Sequence, residues 1–124
     1  MAHLAGTADE IRAAVPAVLD THKFIRDNVL VSGLVDPALK ELCFRYLAED
    51  PAVMERDAFE GRERAALDWA HWIGWDLDVD EDELWARLRS FFDEPELVDL
   101  GCAIGFELGQ QHWRRAVGLH ARDS

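Results

Sequence analysis

The residues with most chemical potential crowd the C-terminal third of the chain. Glu107 sits in an apolar stretch between Phe106 and Leu108. A carboxylate carried into a core needs a cation or hydrogen-bond donors, because burial penalises its charged form. Gln111 and Arg114 fall one and two helical turns further on and can supply them. In a cleft, Glu107 is a candidate general base. His112 stands among Gln110, Gln111, Trp113, Arg114 and Arg115 and is the candidate acid. Glu41 and Arg45, four residues apart on one helix face, form a second carboxylate–guanidinium couple. Glu41 is an alternative base, and Arg45 or Arg114 could fork a substrate carboxylate. His71 lies among Trp69, Trp72 and Trp75, so Trp69 and His71 are candidate substrate contacts in an aromatic pocket. Each of these also has a plain structural role. Arg114 and Arg115 can pair with any of 25 acidic residues. His71, and His22 on the seam of the first helix, can be core histidines bonded to a carbonyl.

Metal and cofactor signals are missing. There is no H-E-x-x-H or C-x-x-C, and the histidines are scattered. Asp76, Asp78, Asp80 and Asp82 alternate like an EF-hand loop, but Glu81 stands where its glycine should be and Arg87 where its last glutamate should be. Gly-rich phosphate loops and G-x-S-x-G elbows are absent. No cofactor and no metal is expected.

The elements that position these residues read as helices throughout. Ile11, Val15, Val18, His22, Ile25 and Val29 recur at helical spacing, with Pro16 imposing a kink or a start near Ala14, and Gly33 ends the run. Asp36-Pro37 opens a second helix whose buried face is Leu39, Leu42, Cys43 and Tyr46. Glu49-Asp50-Pro51 stops it, and Ala52 to Glu60 reads as a loop with at most a helical turn. Gly61 to Trp75 is apolar on two stripes, Ala66, Trp69, Ala70 and Ile73 beside Leu67, His71 and Trp75, so it is buried on more than one side. Asp80 with Glu83, and Asp93 with Glu96, are capping boxes opening two further helices, with Val79–Leu84 and Phe92–Leu97 as staples. The last helix runs to about Gly118 and carries Gly101, Gly105 and Gly109 on one stripe. Each glycine costs about 1 kcal/mol in a helix interior, which points to a closely approaching helix or, less simply, a ligand on bare backbone.

A chain of 124 residues is one domain, here an arm at 1–8, a helical domain at 9–119 and a tail at 120–124. A net charge of −12 argues against nucleic acid and anionic membranes as partners. The acid is densest between Trp75 and Leu97, where nine carboxylates face two arginines, mostly at helix starts. Two cysteines, no apolar leader and no long apolar run predict a cytoplasmic protein. Five tryptophans and six phenylalanines, with the glycine stripe, predict a homo-oligomer.

Several segments resemble the carboxymuconolactone decarboxylase/AhpD-like family. Leu34 to Leu42 (LVDPALKEL) resembles its LDPRLKEL helix start, and Phe59 to Ala66 (FEGRERAA) its FSERERAA. Asp82 to Leu88 with Phe91 and Glu96 to Leu100 resembles DELFARL…F…EELVEL, and Trp113 to Leu119 the family's last helix. The resemblance implies an all-α, AhpD-like orthogonal bundle of five to six helices, and self-assembly. Thiol members carry a glutamate, eleven residues, then C-x-x-C-x-x-x-H. Glu41 matches the glutamate, but Val53, Arg56 and Glu60 occupy the cysteine and histidine positions. Decarboxylase-type members keep a histidine in that region, and none lies between His22 and His71. The expectation is therefore a protein without thiol peroxidase activity that binds a small molecule, such as a small organic acid, or a partner. The alternative is a cofactor-free decarboxylase, isomerase or cyclase using Glu41 or Glu107 as base and His112 as acid.

Overall fold

The computed structural model describes residues 3–49, 54–75 and 80–123, and over them the chain is an all-α bundle of six helices. These are α1 (Ala8–Arg12), α2 (Pro16–Ile25), α3 (Pro37–Ala48), α4 (Gly61–Gly74), α5 (Glu81–Phe91) and α6 (Glu94–Ala116). The local chemistry of their starts is legible. Asp36 accepts the Ala38 N–H with Pro37 in the first turn, and Asp93 and Glu96 form a full capping box that spans Pro95. Asp80 accepts the Glu83 N–H, but the reciprocal bond, from the Asp80 N–H to the Glu83 carboxylate, is not made. A further box, Thr7 with Glu10, opens α1. Pro16 has the effect expected of it, although the break falls at 13–15 and α2 begins on the proline itself. Val79 and the alternating Asp76 and Asp78 lie outside the described residues.

The core forms where α3, α4 and α6 pack together, with α5 on α4. Leu42, Cys43, Leu47, Ala66, Leu67, Leu84, Leu88, Leu100 and Ile104 fill it. Phe92 and Leu97 are buried there, as the staple requires. Gly101 has its reason in this core. A Cβ there would lie 2.7 Å from the Trp69 ring, so the glycine is the seat for that indole. Helix α4 is buried on more than one side through residues 65–70, but Trp75 beyond its end is exposed rather than part of the buried stripe, and the buried stretch also contains Asp68. Arg56 (2.7 Å), Arg64 (2.8 Å) and Arg87 (2.9 Å) all close on that carboxylate. Burial would raise its pKa, but the hydrogen bonds from Arg64 and Arg87 outweigh this and hold it below the usual carboxylate range.

The end of α2 positions the candidate site. Residues Arg26–Leu30 continue the helix in a widened turn, with the Val31 N–H reaching back five residues to the Arg26 carbonyl at 3.0 Å. Widening the turn frees carbonyls, and side chains collect them. Asn28 Nδ2 donates to Phe24 O, Ser32 Oγ to Asp27 O, and Lys40 Nζ to Val29 O and Ser32 O, both at 2.6 Å. Lys40 is 0% exposed, and its ammonium also pairs with Asp99 Oδ2 at 2.9 Å. That oxygen also accepts the N–H groups of Leu34 and Val35. Gly33 has φ +101°, and a Cβ there would meet Asp99 Oδ1 at 2.7 Å and Lys40 Nζ at 2.8 Å. Only glycine lets the loop close over this ion pair. The widened turn thereby packs against α3 and α6 and directs Arg26, Leu30 and Val31 into a cleft.

Candidate functional site

The cleft lies between α1, the end of α2, α3 and α6, with a volume of about 160 Å³. That is room for several waters or one small organic molecule. Its apolar wall is Leu30, Val31 and Phe44. Its polar wall balances Arg12, Arg26, Arg114 and Arg122 against Asp9, Glu41, Glu107 and Asp123. In a chain with 13 lysines and arginines and 25 acidic residues, a cleft whose four guanidiniums match its four carboxylates is less acidic than the chain as a whole.

Glu107 is buried, and its expected partner is present, with Arg114 Nη1 donating to Oε1 at 3.2 Å. Its second oxygen lies 3.6 Å from Arg122 Nε. Arg122 in turn holds Glu41 Oε2 at 3.0 Å, with its guanidinium 5.8 Å from the Phe44 ring centre. Arg122 is delivered by a segment that folds back after α6. Leu119 N–H bonds to Arg114 O, Arg114 Nη1 donates to Ala121 O, and Asp123 accepts the His120 N–H. Glu41 therefore pairs with Arg122, not with Arg45 as its spacing suggested. Arg12 is buried against Asp9 (2.8 Å) and Gln110 (2.9 Å) and stacks 4.9 Å from the Trp113 ring centre. Gln111 donates to Phe44 O at 2.9 Å.

Some polar atoms of this wall, and one on Gln111 behind it, are left without a hydrogen bond. Both ring nitrogens of His22, Arg114 Nε and Gln111 Oε1 are buried and unbonded. His22 is 6% exposed, and its ring lies 5.9 Å from Phe106, with Nδ1 3.9 Å from Asp9 Oδ1. Burial, then the nearby Arg12, pushes its pKa down to about 4, so the ring is neutral at physiological pH. Burial would raise Asp9, but the hydrogen bond and charge of Arg12 and the charge of Arg26 hold it below the ordinary range.

Of the residues singled out in the sequence, the structure brings Glu41, Glu107 and Arg114 together and leaves the others elsewhere. His112 is exposed. Five residues beyond Glu107, it projects roughly 140° away around α6. Arg45 is exposed on α3, beside a shallow groove with Arg62 and Glu63. Trp69 packs edge-on to Trp85 (5.6 Å between ring centres) on the opposite side of the core. His71 Nδ1 bonds the Tyr46 hydroxyl at 2.7 Å, on the α3–α4 side of the core and away from the cleft. His22, expected to bond a carbonyl, bonds nothing through its ring. Tryptophans do not line the cleft, and Arg12, Arg26 and Arg122 were not anticipated in it. Asp9 and Arg12, three apart, carried a detectable pairing signal. Arg122 reaches Glu41 across 81 positions of sequence, which no local spacing reveals.

Cys43 is buried, and burial pushes its thiol up to about 12, which leaves almost no thiolate at neutral pH. Cys102 is exposed on α6. Among the described residues, no cluster of histidine, cysteine or carboxylates could hold a metal ion, and no helix is long and apolar enough to cross a membrane. No family model, no curated protein and no solved structure matches the chain.

Proposed function

We propose that this chain is a non-catalytic small-molecule-binding protein that takes a small organic acid into the Arg114–His22 cleft. The observation carrying this reading is the Arg114 guanidinium, buried at the cleft with its Nε–H unbonded. A buried donor without an acceptor is costly, and a ligand carboxylate removes that cost while Leu30, Val31 and Phe44 cover its apolar part. Binding is favoured over catalysis because the acid–base set is not assembled. Both oxygens of Glu107 face guanidiniums, and His112 is on another side of α6. The burial of Cys43, which shares no thiol motif with the exposed Cys102, supports leaving thiol peroxidase chemistry out of the reading. The segments quoted above support a divergent carboxymuconolactone decarboxylase-like scaffold that has lost the reactive motif. Thermal unfolding against short monocarboxylates, 2-oxobutyrate and lactate among them, tests it. An acid at about 100 times its Kd adds about 2.7 kcal/mol of stability. That gain should disappear in Arg114→Gln and shrink in Arg26→Gln, which is less disruptive because Arg26 is half-exposed. No stabilisation by any acid, or a gain untouched by both substitutions, ends the reading.

A homo-oligomer assembled through α6 is proposed beside it. Gly105 and Gly109 have nothing within 4 Å of where a Cβ would stand, so this chain alone gives no reason for them. They share the outer face of α6 with Val98, which is 61% exposed, next to a groove floored by Trp69 and Trp85. In a monomer, Gly105→Ala should stabilise the protein by about 1 kcal/mol. In an assembly with α6 against α6 it should weaken association. Light scattering at micromolar concentration decides, and a monomer with a stabilising Gly105→Ala overturns the proposal.

A further inference from the structure

We infer that the cleft takes up its acid together with one proton, which His22 receives as the carboxylate enters. The inference rests on the binding reading above and gives that site a proton-coupled ligand, a monocarboxylate. The proton passes from solvent to a ring nitrogen, no covalent bond is made or broken, and nothing is oxidised or reduced.

The geometry carries the argument. His22 is buried, yet neither ring nitrogen bonds to the protein, and its ring forms part of the wall of the cleft. Charged groups face it from each element packed around it. From α1 come Asp9, 3.9 Å from Nδ1, and Arg12. Arg26 comes from the widened turn after α2. From α6 come Arg114 and, already paired to it, Glu107, whose other oxygen faces Arg122. Near the imidazole, three guanidiniums thus face one carboxylate not shared with Arg122, and a cationic ring is disfavoured. Burial and Arg12 accordingly place the free ring's pKa near 4.

A ligand carboxylate reverses this balance. Seated on the guanidiniums, it adds a second negative charge beside Asp9 and offsets the repulsion that keeps the ring neutral. An opposite charge at such range moves a titration by about one to three pH units. The complex therefore holds a proton that the free protein does not, over a window opening just above pH 4. By linkage, affinity rises as pH falls towards 4, by up to about tenfold per pH unit, and levels off below it. A dicarboxylate fits less well, because the cleft's formal charges already balance and its second charge meets Glu41, Glu107 or Asp123.

Titration calorimetry with 2-oxobutyrate, which stays ionised across this range, provides the test. At pH 5.5, heats measured in two buffers of different ionisation enthalpy should differ in proportion to that enthalpy, giving uptake of up to one proton. Affinity should rise from pH 7 to pH 5, by about twofold if the bound ring titrates one pH unit higher than the free one and by about tenfold if it titrates two units higher. In His22→Gln the proton uptake and the pH dependence should both vanish. Because that variant can fail to fold, the wild-type ring is followed directly. The ¹⁵N resonances of His22 should titrate near 4 in the free protein and at least one pH unit higher when saturated. Binding with buffer-independent heats and a His22 titration unmoved by ligand overturns the proton coupling and leaves the binding reading intact. Absence of binding by 2-oxobutyrate and by every acid of the panel overturns both.

Discussion

Replacing Lys40 by methionine is expected to cost about 3–5 kcal/mol of unfolding free energy, as breaking one side of a buried ion pair does. The ammonium is completely enclosed, and its three N–H groups go to Val29 O, Ser32 O and Asp99 Oδ2. Methionine fills a similar volume but leaves both carbonyls without the ammonium donor and the carboxylate without its cation, held only by the Leu34 and Val35 N–H groups. Burial would raise Asp99, and it is the hydrogen bonds from Lys40, Val35 and Leu34 that hold it below the usual range. Asp99→Asn should cost less, because an amide oxygen can still accept from the two backbone N–H groups. The consequence also reaches the cleft. Val29 and Ser32 flank Leu30 and Val31, which form its apolar wall, so loosening them also loosens the wall. Urea unfolding of the two single variants and the double variant measures this, and the double variant should lose much less than the sum. A loss below about 1 kcal/mol for Lys40→Met would show that the loop is held by other means.

The sequence made the helices legible because their boundaries rest on local chemistry. Asp36-Pro37, Asp93 with Glu96, and Gly61 to Gly74 fall where capping and periodicity place them. Lys40 shows where the same reasoning stops. Its residue type gives no sign of burial, yet it lies three, four and seven positions before Cys43, Phe44 and Leu47, all buried, so it belongs to an inner stripe. Asp68 is the same case, four residues after Arg64 in a buried stretch. The pair Glu107–Arg114 could be read because both stand on one helix two turns apart. The rest of the cleft could not, since Arg12, Arg26, Glu41 and Arg122 meet only when distant segments pack. His112 was favoured because it stands among polar and aromatic neighbours in sequence. On a helix, however, sequence neighbours point in different directions, and a residue five positions on is on another face. His22 was noted for the right reason, its place on the apolar seam, but seam position says nothing about whether a partner atom waits there.

That missing partner makes His22 the source of the second large effect, a loss of stability in mild acid. Unfolded, its ring titrates near the ordinary value of 6.5, whereas in the folded protein it is pushed down to about 4. Between those values the unfolded chain binds a proton that the folded chain refuses, so unfolding is favoured as pH falls. The contribution is fully present above pH 6.5, fades as pH drops towards 4, and changes no further below that. Its size is about 3 kcal/mol, a large share of the stability of a domain this small. The window precedes the one in which carboxylates matter. Asp9, Asp68 and Asp99 are all held below the usual 3.8, so their pairs survive until the pH is lower still. Urea midpoints at pH 7, 5.5 and 4.2 should therefore fall in wild type and stay nearly level in His22→Gln. A wild-type profile as flat as the variant's would mean that the ring gains a proton in the folded state without penalty. The ligand should act on the same group in the opposite direction. Saturating 2-oxobutyrate supplies the negative charge that the free cleft lacks beside His22, lets the folded ring keep its proton, and should restore part of the acid loss at pH 5.5 in wild type but not in His22→Gln.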